Sequence, residues 1–164
     1  AGDAFDEAIV RYVRRKHNIL IGKRTAEELK IGIACLVPRA EVGIQEVKGR
    51  CLMTGLPRAV TIDTNDVAEA LVDPITEILD AIQAVLERTP PELVADISQN
   101  GIILCGGGSL VPGIDRIINA KTGIKVRTMD DPISSVAYGA GKMLSRLNEM
   151  DEGMINLARK RQMK

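Results

Sequence analysis

The run Ile102-Ile103-Leu104-Cys105-Gly106-Gly107-Gly108 has residue types suited to holding a ligand. Its first half is apolar without a break, as expected of a strand buried on both faces. The three glycines after it let the backbone take positive φ and let a ligand approach where a Cβ would stand in the way. A helix is expected next, and its opening N–H groups can face an anion or a ribose. The same residues also suit a bare strand-to-helix turn, so ligand cradle and plain connector both stay open. Two familiar phosphate loops are excluded. No Gly-Lys-Ser/Thr follows, and Gly106, Gly108 and Gly113 are too widely spaced for a dinucleotide fingerprint.

No catalytic set emerges from the other reactive side chains. Ser109 lacks the nucleophile-elbow pattern, and His17, the single histidine, falls in the basic cluster Arg14-Arg15-Lys16-His17. That cluster suits a solvated, dipole-matched helix end. Asp130-Asp131 suits a turn cap before a helix. Cys35, Cys51 and Cys105 are an odd number at wide spacings, neither a disulfide framework nor a zinc knuckle. They read as buried small thiols in a reducing compartment. No metal site is expected.

Composition narrows the classes further. The 164 residues are 45% hydrophobic and 27% charged, which is ordinary for a folded domain or two small lobes. Lys plus Arg equals Asp plus Glu at 22 each, so no charge excess draws the chain to nucleic acid. With one Phe, two Tyr and no Trp, stacking platforms for single strands are also scarce. No nucleic-acid partner is expected. No apolar run reaches the roughly 18 to 20 residues that span a bilayer. Ala1 rather than Met opens directly into helix-like sequence, which suggests a fragment or a processed chain.

Periodicity supplies the elements that must position these residues. Phe5, Ile9, Tyr12 and Val13 predict a helix over 4–16, with Asp3 at its N-cap and Asp6 and Glu7 in its first turn. Thr25-Ala26-Glu27-Glu28 has the capping-box pattern and opens a second helix, limited by Pro38. Between Glu41 and Asp63, alternation broken at Gly49-Arg50 and Gly55-Leu56-Pro57 predicts two or three short antiparallel strands. Val67, Leu71, Ile75, Ile78, Ile82 and Val85 form one apolar stripe on a long helix, kinked or restarted at Pro74 and ended by Thr89-Pro90-Pro91. A short helix over 92–100, the strand 102–105, a helix at about 112–120, a strand at 124–127 and a last helix from near Ile133 complete the order. Residues 151–164 read as a polar tail. The expected organisation is a large α/β lobe of residues 1–22 and 75–150, with a small α+β lobe inserted at 23–74.

Several ordered segments carry a resemblance. They are Ala1-Gly2-Asp3-Ala4-Phe5-Asp6-Glu7-Ala8-Ile9, Ile21-Gly22-Lys23-Arg24-Thr25-Ala26-Glu27-Glu28-Leu29-Lys30, Thr54-Gly55-Leu56-Pro57, Thr89-Pro90-Pro91-Glu92-Leu93, Ile103-Leu104-Cys105-Gly106-Gly107-Gly108-Ser109-Leu110 and Val136-Ala137-Tyr138-Gly139. Together, up to about residue 147, they resemble the actin and chaperone ATPase superfamily and, within it, the MreB family of bacterial cell-shape proteins. The resemblance implies an actin-like (ribonuclease-H-like) α/β lobe, incomplete, with a small α+β lobe inserted.

It further implies that the glycine turn Gly106, Gly107 and Gly108 meets the ribose and α-phosphate side of ATP. Glu27 and Lys30, three residues apart and so on one helix face, would lie around the adenosine, and Gly2 near the phosphates. Ala1 stands where the family usually has Gly, and Gly32 where it often has an acidic residue. The family's phosphate hairpins, catalytic carboxylate and membrane-inserting segment would precede Ala1. The function implied is a cytoplasmic, membrane-associated filament that binds ATP with magnesium, self-assembles, works with membrane-associated cell-shape proteins and governs cell-wall synthesis. Any membrane contact would be made only through the half that is missing here. The rival reading is a non-catalytic interaction module.

Overall fold

Phe5, Ile9, Tyr12 and Val13 are buried along one side of α1 (Gly2–His17) in the computed structural model, which describes residues 2–145. Ala1 and the polar tail expected at 151–164 lie outside the described residues. Because Gly2 is already helical, Asp3 sits in the first turn of α1 rather than at its cap. Two residues of strand, β1 (Ile19–Leu20), lead to α2 (Lys23–Ile33). This helix starts ahead of the expected capping box. Gly22 is its N-cap, without a side-chain bond, and its carbonyl already accepts from the Ala26 amide at 3.1 Å, which leaves Thr25 inside the first turn.

The alternating stretch folds as β2 (Ile44–Cys51) and β3 (Pro57–Asp63), antiparallel with Val47 opposite Val60. Strand order is β1-β2-β3, with Ile19 opposite Cys51. Gly49-Arg50 is not the expected break, since β2 runs through it. Glycine is needed there because a Cβ would lie 2.4 Å from the Leu20 carbonyl oxygen of the neighbouring strand. The real turn comes later, where the Gly55 amide donates to the Cys51 carbonyl at 2.8 Å and Gly55 takes φ +73°.

Asp63 caps α3 (Thr64–Ala70) through a reciprocal box with Asp66. After the single residue Leu71 the chain re-enters helix as α4 (Val72–Arg88). Pro74 causes this break but does not mark it. A proline has no N–H to give the carbonyl four residues back, and its ring collides there, so helical pairing fails at Ala70 and resumes beyond it. Val85, expected on the buried stripe, is instead exposed. The core contacts of α4 are made by Ile75, Ile78, Leu79 and Ile82, and the stripe leaves the core before Val85.

Thr89 ends α4, and Pro91 opens α5 (Pro91–Asn100), which buries no side chain. Then come β4 (Ile102–Leu104), a 3-10 turn (Gly107–Leu110), α6 (Ile114–Thr122), β5 (Val126–Thr128) and α7 (Ser135–Ser145). β4 and β5 pair in parallel, Ile102 opposite Val126, as a crossover through α6 requires. Against expectation, β4 is not buried on both faces. Ile103 is 49% exposed, because its side of the two-stranded sheet has no covering element among the described residues. Asp131 Oδ1 does cap the last turn, accepting from the Ser134 amide at 3.1 Å.

One apolar core joins these parts, from Phe5 and Ile9 through Leu29, Val47, Ile62 and Leu71 to Ile114 and Ile118. The basic end of α1 is not simply solvated. Lys16 Nζ reaches Asp66 Oδ1 at 2.5 Å, and His17 Nε2 lies 3.5 Å from Asp66 Oδ2. The Tyr12 hydroxyl donates to Glu69 and receives Lys16 at 3.0 Å. Burial, reinforced by Glu69, pushes the Tyr12 phenol up to about 12. Burial also pushes Asp66 up, but the Lys16 ammonium and the Asp63 amide outweigh it, so the carboxyl sits below its ordinary value.

Candidate nucleotide-binding cleft

Gly106 has φ +83°, a conformation closed to most L side chains, and its amide is tied to the Pro132 carbonyl at 2.6 Å. Ser109 finishes the loop from below. Its buried hydroxyl donates to the Gly106 carbonyl at 2.7 Å and its amide to the same oxygen at 3.1 Å. The hydroxyl excluded as a nucleophile on sequence is therefore committed to shaping the glycine turn. Gly107 and Gly108 open the 3-10 turn, and opening amides have no partner within such a turn. A Cβ built on Gly106 or Gly107 would meet nothing within 4 Å, so the glycines border open space. The helix expected directly after the glycines is this short turn. The α-helix proper waits until Ile114, behind Gly113 at φ +93°.

The turn faces two adjoining hollows. One, of about 410 Å³, is bounded by Gly2, Glu27, Lys30, Ile31, Gly107 and Gly108, with Leu110, Val111, Pro112 and Ile133 completing its wall. The other, of about 330 Å³, is bounded by Gly106 and the same two glycines, by Gly2, Phe5 and Cys105, and by apolar side chains of α4 and α6. The first lies within the size range of small-molecule sites. The fold thus brings Gly2, Glu27, Lys30, Gly107 and Gly108 to one cavity and Gly106 to its neighbour, although these residues come from three well-separated segments.

The electrostatics differ from a simple pair on α2. Lys30 does not pair with Glu27. Its ammonium is 2.7 Å from Asp6 Oδ1, with both side chains largely buried. Gly2 lies beside that ammonium, and a Cβ there would meet it at an ordinary contact distance of 3.8 Å. Glu27 is exposed and has no ion-pair partner among the described residues. Sequence reasoning placed Asp6 in the first turn of α1 as a favourable end charge and missed its ion pair with Lys30. The signal was present: Asp6 is three residues before Ile9 and seven before Val13, on the apolar side. Ile31, Leu110 and Ile133, exposed apolar side chains on the cavity wall, were missed too. Cys105 is exposed at the loop, contrary to the reading of all three thiols as buried, because β4 ends before it. No three His, Cys, Asp or Glu side chains converge to hold a metal among the described residues. None of the described helices is long and apolar enough to cross a membrane.

Comparison with known proteins gives the family of the chain. The family model for the MreB/Mbl protein matches residues 1–152. The cell shape-determining protein MreB of Escherichia coli (strain K12) is 46% identical over 147 residues, which cover 90% of this chain and 42% of that protein. Mbl of Bacillus subtilis (strain 168) is 41% identical, covering 92% of this chain and 45% of that one. The chain thus spans less than half the length of these relatives. Among solved structures, MreB5 of Spiroplasma citri bound to AMPPNP superposes with TM-score 0.86 at 33% identity, over 91% of this chain and 45% of that one. The MamK double helical filament matches with TM-score 0.65 at 25% identity, over 80% of this chain and 40% of that one. The fold is therefore an incomplete actin-like lobe, and the chain belongs to the MreB/Mbl family.

Proposed function

We propose that the cleft holds an adenine nucleotide and that the chain is part of an actin-like cytoskeletal protein. In that reading the whole protein binds and hydrolyses ATP, polymerises into filaments at the membrane and governs rod shape together with membrane-associated cell-shape proteins. The observation that carries it is the convergence of Gly2, Glu27, Lys30 and the Gly106–Gly108 turn on adjoining hollows. The open space above the glycines suits the ribose and α-phosphate, to which the Gly107 and Gly108 amides can donate. Exposed Ile31, Leu110 and Ile133 give a flat base an apolar wall, and Glu27 offers a carboxylate acceptor beside it. The nucleotide held in the related MreB5 structure adds support. Bound ATP would supply a transferable phosphoryl group, while this chain's residues orient its nucleoside end. The residues belong to the two lobes proposed from sequence, 1–22 with 75–150 and the insert 23–74.

Alone, the chain should bind nucleotide weakly and turn none over, because phosphoryl transfer needs a positioned metal and water. Titration with a fluorescent ATP analogue should give weak, saturable binding that Gly107→Val abolishes by filling the space over the loop. ATP hydrolysis by this chain that survives Gly107→Val would overturn the reading. The second reading, an interaction module, is favoured by α7, where Val136, Tyr138, Met143 and Leu144 are all exposed. Mixing the chain with the rest of its parent protein separates the two: nucleotide-dependent assembly supports the first, and partner binding indifferent to ATP the second.

A further inference from the structure

Two of the segments that bound the 410 Å³ cavity are tied together by one short arm. The first is α2, which brings Glu27, Lys30 and Ile31, and the second is the loop that runs from Gly107 to Pro112. α2 ends at Ile33, and the chain continues in extended form through the buried residues Ala34 and Cys35. The next amide, that of Leu36, donates to the Pro112 carbonyl at 2.8 Å. Val37 then packs against Gly113, at φ +93°, so closely that a Cβ there would stand 2.7 Å from Val37 Cγ1 and 3.0 Å from Cγ2.

This arm has little slack. Three peptide steps from Ile33 to Leu36 reach at most about 11 Å. Pro38 holds Val37 in extended conformation, and the Cys35 thiol donates to the Val37 carbonyl at 3.2 Å. On the other side, the ring of Pro112 fixes its own φ, and its neighbours Val111 and Ile114 are buried in the core. A shift of α2 is therefore carried to Pro112 instead of being absorbed between them.

We infer that Leu36 and Val37 are positioning residues for the nucleotide cleft, holding the α2 lining and the glycine-turn lining at the separation in which one ligand touches both. The inference rests on the nucleotide reading above and adds what sets the geometry of that site. Neither residue lines the cavity, so each acts through Pro112 or Gly113. A ligand that bridges both linings must in turn tighten the arm, since coupling between two equilibria is reciprocal.

Titration of the 164-residue chain with a fluorescent ATP analogue tests it. Val37→Ala removes the methyl groups that meet Gly113 and should weaken nucleotide binding about ten-fold. Val60→Ala makes the same truncation at another half-buried valine, in β3 and outside both hollows. It should lower the melting temperature at least as much and leave affinity unchanged. Gly113→Ala forces the arm away from Pro112 and should also weaken binding. Adding Val37→Ala makes room for the new methyl group and should recover part of that affinity. The strain of a side chain at positive φ stays in both, so the melting temperature does not recover with it. Circular dichroism checks each fold, and the two valine variants decide alone if Gly113→Ala does not fold. Amide exchange supplies the reciprocal measurement. Saturating nucleotide should slow exchange at Leu36 several-fold, but not at Leu52, a turn amide bonded to the Asn18 carbonyl at 2.9 Å.

Affinity that Val37→Ala leaves at the wild-type value, or that Val60→Ala lowers equally, overturns the inference and leaves the nucleotide reading standing. So does a folded double variant no better than Gly113→Ala, or a Leu36 amide that nucleotide does not slow. A wild type without saturable binding fails the nucleotide reading itself, and the inference falls with it.

Discussion

Asp66 does three jobs at one carboxylate. It closes the capping box with Asp63, receives Lys16 at 2.5 Å, and stands 3.5 Å from His17 Nε2, a buried nitrogen with no hydrogen-bond partner. Replacing it with Asn should cost about 2 kcal/mol near neutrality, from the cap and the ion pair together. The sign of the pH dependence follows from its lowered pKa. The stabilisation is fully present above the ordinary carboxylate value of 3.8 and fades as pH falls through the lower folded value. Urea midpoints of wild type and Asp66→Asn should therefore differ most at neutral pH and converge in acid. A gap that persists unchanged into acid would assign the effect to packing instead. None of this was legible in the sequence, where Lys16 and His17 read as a solvated helix end. Periodicity reports which face a residue occupies but not which distant carboxylate the fold brings to it. Asp6 shows the same limit, since its place on an apolar face was visible and its partner Lys30 was not.

At the scale of elements, the sequence carried types well and boundaries poorly, for reasons that can be named. The antiparallel hairpin, the stop at Thr89-Pro90-Pro91 and the order strand, glycine turn, helix, strand were all legible, because each depends on local patterning or on proline and glycine chemistry. Gly49 misled, because a glycine forced by a crossing strand looks like a glycine forced by a turn. Its role gives a direct test. Gly49→Ala puts a methyl carbon 2.4 Å from the Leu20 carbonyl oxygen, a backbone atom that cannot swing aside. It should separate β1 from β2 and destabilise the fold by about 2 kcal/mol or more. The same substitution at Gly107, where a Cβ meets nothing within 4 Å, should leave stability nearly unchanged. Thermal denaturation of both variants makes the comparison. Equal losses would remove the crossing-strand explanation.

The whole molecule is unevenly covered. α1, α2 and the three-stranded sheet share the core with α3 and the start of α4. By contrast, α5 buries no side chain, α7 exposes its apolar residues, and Ile103 lies open on the short parallel sheet. Few buried contacts mean low local stability. Amide hydrogen exchange should accordingly be slowest in α1, β2 and β3 and fastest in α5 and α7, with β4 and β5 between them. Protection of α7 equal to that of α1 would contradict this. The actin-like identity of the lobe was legible only from the ordered set of segments, because no single glycine turn distinguishes a nucleotide cleft from a connector. The uncovered side of β4 was not legible, since an apolar strand looks the same whether or not its neighbours are present.

The clasp between Lys30 and Asp6 has a kinetic consequence. The cation on the cavity wall is neutralised before any anion arrives, and Glu27 leaves the lining with a slight negative balance. Long-range attraction then has no source in the cleft, and what holds a phosphate must be short-range amide dipoles that act only on contact. Stopped-flow association of a labelled nucleotide should therefore be almost flat across an ionic-strength series, whereas Asp6→Asn, by unmasking Lys30, should quicken capture at low salt and restore a downward slope. A steep slope in the wild type would mean that the ion pair opens before the ligand reaches the wall.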